Sequence, residues 1–170
     1  MTTRTISESD MQFGPHPATH LFHIEKSTVY ADRPDGVKMA EFLLLDNTNV
    51  LLVEAKSSSP RPGNLADFPV FLTEIREKMT NALALFVGIR LGRHTPAAQA
   101  EVPSNLATLN LSTANFRFVL VIRGHKDEWL PPLQEALNLE LRGLAGAFSI
   151  SAPFLAVIND DMARRKKLIA

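Results

Sequence analysis

The chain has 170 residues, 45% of them hydrophobic and 21% charged, a composition typical of one folded globular domain. Its 18 basic and 18 acidic side chains cancel, which argues against extended non-specific binding to nucleic-acid phosphates but leaves room for a local basic patch. The chain has no cysteine, which excludes disulfides, thiolate metal sites and cysteine nucleophiles, and favours a reducing compartment. Residues 1–12 lack the apolar core of a signal peptide, and no apolar run approaches the ~20 residues that span a bilayer, so we expect a cytoplasmic protein.

The N-terminal part of the sequence is polar and ends in a Gly/Pro-rich stretch. Residues 1–17 are therefore expected to form a flexible arm, and residues 18–170 a single domain. Leu21 to Tyr30 contains β-branched and aromatic residues, which favour a first strand. Residues 31–36 contain Pro and Gly at the usual positions of a turn.

A hairpin is predicted next, because two apolar runs flank the polar residues 46–49. Val37 to Leu45 and Val50 to Ser57 are apolar on both faces, which is typical of strands in the middle of a covered sheet. A Ser/Pro/Gly loop leads to a long helix that begins near Asp67. Its apolar residues recur every three or four positions, so one face is expected to pack on the sheet. They are Phe68, Leu72, Ile75, Met79, Leu83 and Phe86.

The second half of the chain alternates strands and helices. A long loop is expected from His94 to Asn115, then a buried strand from Phe116 to Arg123 and a leucine-rich helix after Pro131-Pro132. Phe154 to Ile158 indicates a last short strand, and Asp160 to Lys167 a terminal helix. The order is three strands, helix, strand, helix, strand, helix. It predicts an α/β fold, with a central mixed β-sheet flanked by helices.

The hairpin carries the most specific chemical signal in the sequence. If it closes symmetrically about Asn47-Thr48, residues whose numbers sum to 95 lie opposite each other, so Glu41 faces Glu54. Lys56 shares a strand face with Glu54 because side chains alternate along a strand. Two carboxylates side by side in an apolar sheet need a positive partner. Lys56 and a divalent cation could supply it, and oxygen ligands at this spacing suit Mg²⁺ or Mn²⁺.

These residues resemble the PD-(D/E)xK (restriction-endonuclease-like) nuclease superfamily. The matching segments are Ala40-Glu41-Phe42 and Val53-Glu54-Ala55-Lys56-Ser57, followed by helix, strand and helix in the order of the family core, βββαβαβ. The first acidic position of the family is normally Asp, and Glu41 is a departure from it. The resemblance implies metal binding by Glu41 and Glu54, with Glu25 as an upstream acidic ligand. It also implies that Lys56 positions a water for phosphodiester hydrolysis of DNA or RNA. A chain this short offers little surface for substrate and small nucleases of this type often need two copies, so a homodimer is a plausible assembly.

Other interpretations of the same residues are open. Glu54 and Lys56 could form a simple ion pair at an exposed sheet end, and Asp46 is better explained as a turn residue than as the first acidic position. The scattered histidines, His23 among them, fit surface or hydrogen-bonded positions better than metal ligands. The basic residues 164–167 fit the C-terminal end of a helix. The alternative function is a non-catalytic interaction or regulatory protein that retains the nuclease scaffold.

Overall fold

The computed structural model describes residues 1–170 and contains seven strands and six helices. The strands are β1 (Thr3–Glu8), β2 (Met11–Pro17), β3 (Leu21–Phe22), β4 (Phe42–Asp46), β5 (Asn49–Lys56), β6 (Asn115–Ile122) and β7 (Leu155–Asn159). The helices are α1 (Thr28–Ala31), α2 (Asp67–Arg90), α3 (Pro96–Ala100), α4 (Ser104–Thr108), α5 (Leu130–Ala147) and α6 (Asp160–Arg165). None of these helices combines the length and apolar character required to cross a membrane.

Five strands form a mixed sheet in the order β3-β4-β5-β6-β7. The pairs β3/β4 and β4/β5 are antiparallel, whereas β5/β6 and β6/β7 are parallel. Parallel neighbours need a long crossover, and α2 and α5 provide the two crossovers. The predicted α/β class, with a mixed sheet flanked by helices, is confirmed.

The sheet is covered on both faces, as the apolar runs of the strands predicted. A core of 31 buried residues lies between one face and the helices α2 and α5. A second core of 14 buried residues lies on the other face, under β1, β2 and the C-terminal residues. Successive residues of β5 alternate between the two cores, so Leu52 joins the first and Val53 the second.

The first 17 residues do not form the expected flexible arm. They fold into the two-stranded hairpin β1–β2, whose turn residues Ser9 and Asp10 both have positive φ, at 50° and 57°. Ile6 and Phe13 are buried against the sheet, and the Phe13 ring lies 5.2 Å from that of Phe42 in an edge-to-face arrangement. Burial of these apolar residues explains why the segment is ordered.

The strand predicted from Leu21 to Tyr30 is much shorter, because only β3 pairs with the sheet. A 3₁₀ turn (Ile24–Lys26) and helix α1 follow it. Ser27 caps α1, since its hydroxyl accepts a hydrogen bond from the Tyr30 N–H at 3.2 Å. The next predicted strand also begins later than expected, at Phe42 rather than Val37.

Helix α2 begins at Asp67, as predicted, and the long loop predicted after it is partly helical. The helix continues through Gly88 to Arg90, where a Cβ at Gly88 would lie 3.3 Å from Nε2 of His94. Thr95 then caps α3 by accepting a hydrogen bond from the Ala98 N–H. The Arg90 guanidinium donates to backbone carbonyls at the end of α4, which ties that helix to α2.

Candidate metal centre

The acidic residues singled out from the sequence lie at one end of the mixed sheet. Glu54 and Lys56 are at the end of β5, and Glu41 directly precedes β4. Glu25 lies in the 3₁₀ turn, and its backbone N–H donates to the Glu41 carbonyl at 3.3 Å. The sequence prediction therefore named four residues that the fold brings to one place.

The predicted hairpin register is confirmed along β4 but stops one residue short of Glu41. All five pairs of β4 with β5 have numbers that sum to 95, ending at Phe42 and Val53. The Glu41 N–H donates to the Val53 carbonyl at 3.0 Å, so Glu41 is not opposed to Glu54 by regular strand pairing. The regular pairing of β4 with β5 ends here because the Glu41 carbonyl accepts its hydrogen bond from the Glu25 N–H, in the 3₁₀ turn, and not from β5.

Glu54 is fully buried and held by two lysines. Its Oε1 accepts a hydrogen bond from Lys78 Nζ at 2.8 Å, and Lys56 Nζ lies 3.5 Å from the same oxygen. Lys56 is itself 2.5 Å from Oε1 of Glu74, on helix α2. Burial raises the pKa of Glu54 to about 7, despite the lowering effect of both lysines. The other oxygen, Oε2, is buried and has no hydrogen-bond partner.

Glu41 has a different environment, because no cation pairs with it. The residue is 6% exposed, and its Oε2 is buried without a hydrogen-bond partner. Burial raises the pKa of Glu41 to about 9, and the neighbouring Glu25, Glu54 and Glu8 raise it further in the same direction. At neutral pH the structure therefore favours a proton, or another positive charge, on this carboxyl group.

Four potential ligands converge around Glu41. One ligand atom each from Glu8, His23, Glu25 and Glu41 lies within 4.8 Å of the others. Opposite ligands of an octahedral ion with bonds of about 2.1 Å are about 4.2 Å apart, so small side-chain movements would bring these atoms to bonding distance. The His23 pKa is lowered by burial and by Lys26, which favours the neutral imidazole that a metal requires. Its Nε2 is buried without a hydrogen-bond partner.

This group differs from the predicted ligand set in two respects. Glu54 is not among the four converging residues, since lysines occupy its surroundings. His23 and Glu8 join the group, although the sequence favoured a surface or hydrogen-bonded role for His23. A histidine nitrogen among carboxylates suits Mn²⁺ better than Mg²⁺, because Mg²⁺ prefers oxygen ligands alone.

Lys78, on α2, is a further residue of the site that the sequence analysis did not single out. Its side chain is 13% exposed and points to Glu54. Helical spacing could have identified it, because Lys78 lies seven residues after Phe71 and four before Ala82, both of which are buried. No comparable signal was available for Glu8, whose position depends on the hairpin β1–β2 folding against the sheet.

No protein-family model matches this chain, and comparisons with curated proteins and with solved structures found no match either. The resemblance to the PD-(D/E)xK superfamily stays a prediction. It depends on Glu41, Glu54 and Lys56 and on the order of the elements around them.

Proposed function

We propose that this protein is a divalent-metal-dependent, nuclease-like domain that hydrolyses phosphodiester bonds of DNA or RNA. Glu41 and Glu25 would hold the cation together with His23 and Glu8, and Mn²⁺ fits this donor set best. The observation that carries the proposal is the buried, unpartnered Oε2 of Glu41 inside a cluster of further ligands. A bound cation supplies the positive charge that this carboxylate lacks and a Lewis acid for the charge on a scissile phosphate.

The lysines of the site have distinct roles in this proposal. Lys56 is 23% exposed, so its ammonium group can donate a hydrogen bond to an attacking water or to a phosphate oxygen. Glu54 and Glu74 hold Lys56 in place from two sides, at 3.5 and 2.5 Å. Lys78 neutralises Glu54 within the sheet. In hydrolysis the water oxygen forms a bond to phosphorus, the bond to the leaving sugar oxygen breaks, and that oxygen gains a proton.

The proposal includes a nucleic-acid substrate, a homodimer and a cytoplasmic location. A nucleic acid is the proposed substrate because two cations, the partly exposed Lys56 on Glu54 and the exposed Lys26 on Glu25, lie on residues of the site and could meet its phosphates. A chain of 170 residues offers little surface for such a polymer, so we propose that a homodimer binds it. The absence of cysteine fits a reducing, cytoplasmic location.

One observation favours a second candidate, a non-catalytic interaction or regulatory protein built on the same scaffold. The side chain of Glu54 is 0% exposed, and its charge is already met by Lys78 and Lys56. Glu74 in turn engages Lys56. Such a network of mutually paired charges can stabilise a fold without taking part in chemistry.

Metal binding and cleavage together distinguish the two candidates. Mn²⁺ titrated into the full chain by calorimetry should bind saturably, and Glu41→Gln should abolish binding. Cleavage of single- and double-stranded DNA and RNA should then require Mn²⁺ and be lost in Lys56→Ala, with the fold checked by circular dichroism. Glu135→Gln, an exposed change on α5, is the matched control and should alter neither property. Metal binding without cleavage of any substrate would favour the second candidate, and no metal binding would refute the proposed centre.

A further inference from the structure

A groove on the second face of the sheet lies apart from the metal centre. It encloses about 630 Å³, within the range of small-molecule sites. Its apolar floor is formed by Leu44, Leu51, Val119 and Ala156, one residue from each of the strands β4 to β7. Asp46 also lines it, and Asp46 lies five residues beyond Glu41, or about 16 Å along a strand. We call this cavity the sheet groove.

The sheet groove exists because β1 and β2 cover only part of this face. Phe13 packs on Phe42, and the Ser9 hydroxyl donates to the Ala55 carbonyl at 3.1 Å, so the hairpin covers the end of the sheet nearest the metal centre. At the other end Leu51 and Ala156 are only half-buried. Apolar side chains on the sheet are therefore left accessible in a defined concavity.

The rim of the sheet groove is positively charged, although the whole chain is neutral. Arg117, Lys166 and Lys167 line it, and none of them takes part in any ion pair of the molecule. The Arg117 guanidinium is held by the backbone carbonyls of Phe116 and Ser151, at 3.0 and 3.2 Å. Asp46 is the single carboxylate among the lining residues. An anion is the charge that complements this rim.

We propose that the sheet groove binds a small amphipathic anion, a medium-chain fatty carboxylate. Its alkyl chain would lie on Leu44, Leu51 and Ala156, and its carboxylate would meet Arg117, Lys166 and Lys167. The apolar floor excludes a metal ion or free phosphate as the main ligand, because neither would use it. A nucleotide is disfavoured because the floor is aliphatic: of the two aromatic residues in the lining, Phe118 is fully buried in the core on the other face of the sheet, which leaves only the His16 ring to stack on a base. The proposal is independent of the metal centre.

Calorimetric titration of decanoate into the full chain, below its micelle concentration, tests the proposal. We expect saturable binding of one decanoate per chain. Acetate, which lacks the alkyl chain, and decyltrimethylammonium, which carries the opposite charge, should bind at least about tenfold more weakly. Equal binding of decyltrimethylammonium would refute the proposal, because the groove would then be an apolar patch without selectivity for anions.

Two variants address the floor and the rim separately. Ala156→Trp fills the groove and should abolish binding, while Arg117→Gln should weaken it about tenfold, as expected for the loss of one charge-assisted hydrogen bond. Arg142→Gln, on the exposed side of α5, is the control and should bind like the wild type. Since Ala156→Trp could disturb folding, the exposed pair Lys166→Gln and Lys167→Gln provides a second test of the rim.

Further measurements test whether a second copy of the chain, and not an anion, occupies the groove, and whether its rim matters. If light scattering shows a dimer that Ala156→Trp converts to a monomer, a second copy of the chain occupies the groove and the proposal is wrong. Unchanged decanoate binding in Arg117→Gln and in the lysine variants would also overturn it. Glu41→Gln should leave decanoate binding intact, so a failure of the metal centre and a failure of the sheet groove are separable.

Discussion

Replacement of Glu41 by Gln should stabilise the metal-free protein, and increasingly so as the pH rises. Glutamine has the shape of the protonated carboxyl group but cannot ionise. The Glu41 pKa is raised from 4.5 to about 9 in the folded chain, so the folded state keeps a proton that the unfolded chain releases above about pH 5. The stability of the protonated form is therefore fully present below pH 4.5 and is lost as the pH rises towards 9.

The size of the effect follows from this difference in bound protons. One proton corresponds to about 1.4 kcal/mol per pH unit, so the free energy of unfolding of the wild type should fall, relative to the variant, by about 3 kcal/mol between pH 5.5 and pH 8. Urea denaturation with a chelator present measures this quantity at each pH. Glu135→Gln, at an exposed position on α5, should follow the wild type at every pH.

Addition of Mn²⁺ should reverse the order of stability, so that the wild type becomes more stable than Glu41→Gln. A ligand at a hundred times its dissociation constant stabilises the folded state by about 2.7 kcal/mol, and the Glu41→Gln variant should gain none of this. If the curves of the wild type and the variant against pH are parallel without metal, Glu41 ionises normally. Its buried carboxylate would then need no cation.

Three further variants test the packing around the site. Lys78→Met should destabilise the protein by about 3 kcal/mol at pH 8, because it leaves the buried carboxylate of Glu54 with only Lys56 nearby. The loss should be smaller at pH 5.5, which is below the Glu54 pKa of about 7. Urea denaturation at both pH values measures the two losses, and equal losses would contradict the prediction. Phe13→Ala should cost about 3–5 kcal/mol, since Phe13 is fully buried against Phe42, and faster proteolysis of residues 1–17 should accompany it. Ser27→Ala should cost about 1–2 kcal/mol through loss of the α1 cap, whereas Ser27→Thr, which keeps the hydroxyl that also donates to the Ile24 carbonyl, should retain more of the stability.

The elements that were predicted well are those with strong local patterns. Strands β5 and β6 are apolar on both faces, and α2 has apolar residues every three or four positions, so local sequence determined their type. The hairpin β1–β2 was missed because it has few apolar residues and turns at Ser9-Asp10, without the glycine that usually marks such a turn. Its stability comes from burial of Phe13 on a sheet formed by distant residues, which a local pattern does not contain.

The candidate site was only partly predictable for the same reason. Hairpin symmetry predicted the register of β4 with β5 from Phe42 to Asp46, because register depends on the turn, which is local, but that register ends one residue before Glu41. Lys78, Glu8 and His23 reach the site from α2, β1 and the segment after β3, and their positions depend on tertiary packing. This packing changed the interpretation, because it gives Glu54 a lysine partner and leaves Glu41 as the carboxylate that lacks a cation.

The contrast between the two buried carboxylates leads to a last prediction about metal binding. Lys78 is hydrogen-bonded to Glu54, whereas the ligand atoms that converge on Glu41 come from two carboxylates and a histidine, so a proton and a cation compete for the Glu41 carboxyl group. Below pH 9 each bound Mn²⁺ should therefore release about one proton, and affinity should rise by up to about tenfold per pH unit. Calorimetry in buffers of different ionisation enthalpy counts the protons. Binding without proton release would show that the ion avoids Glu41, and the metal centre would then have to lie elsewhere.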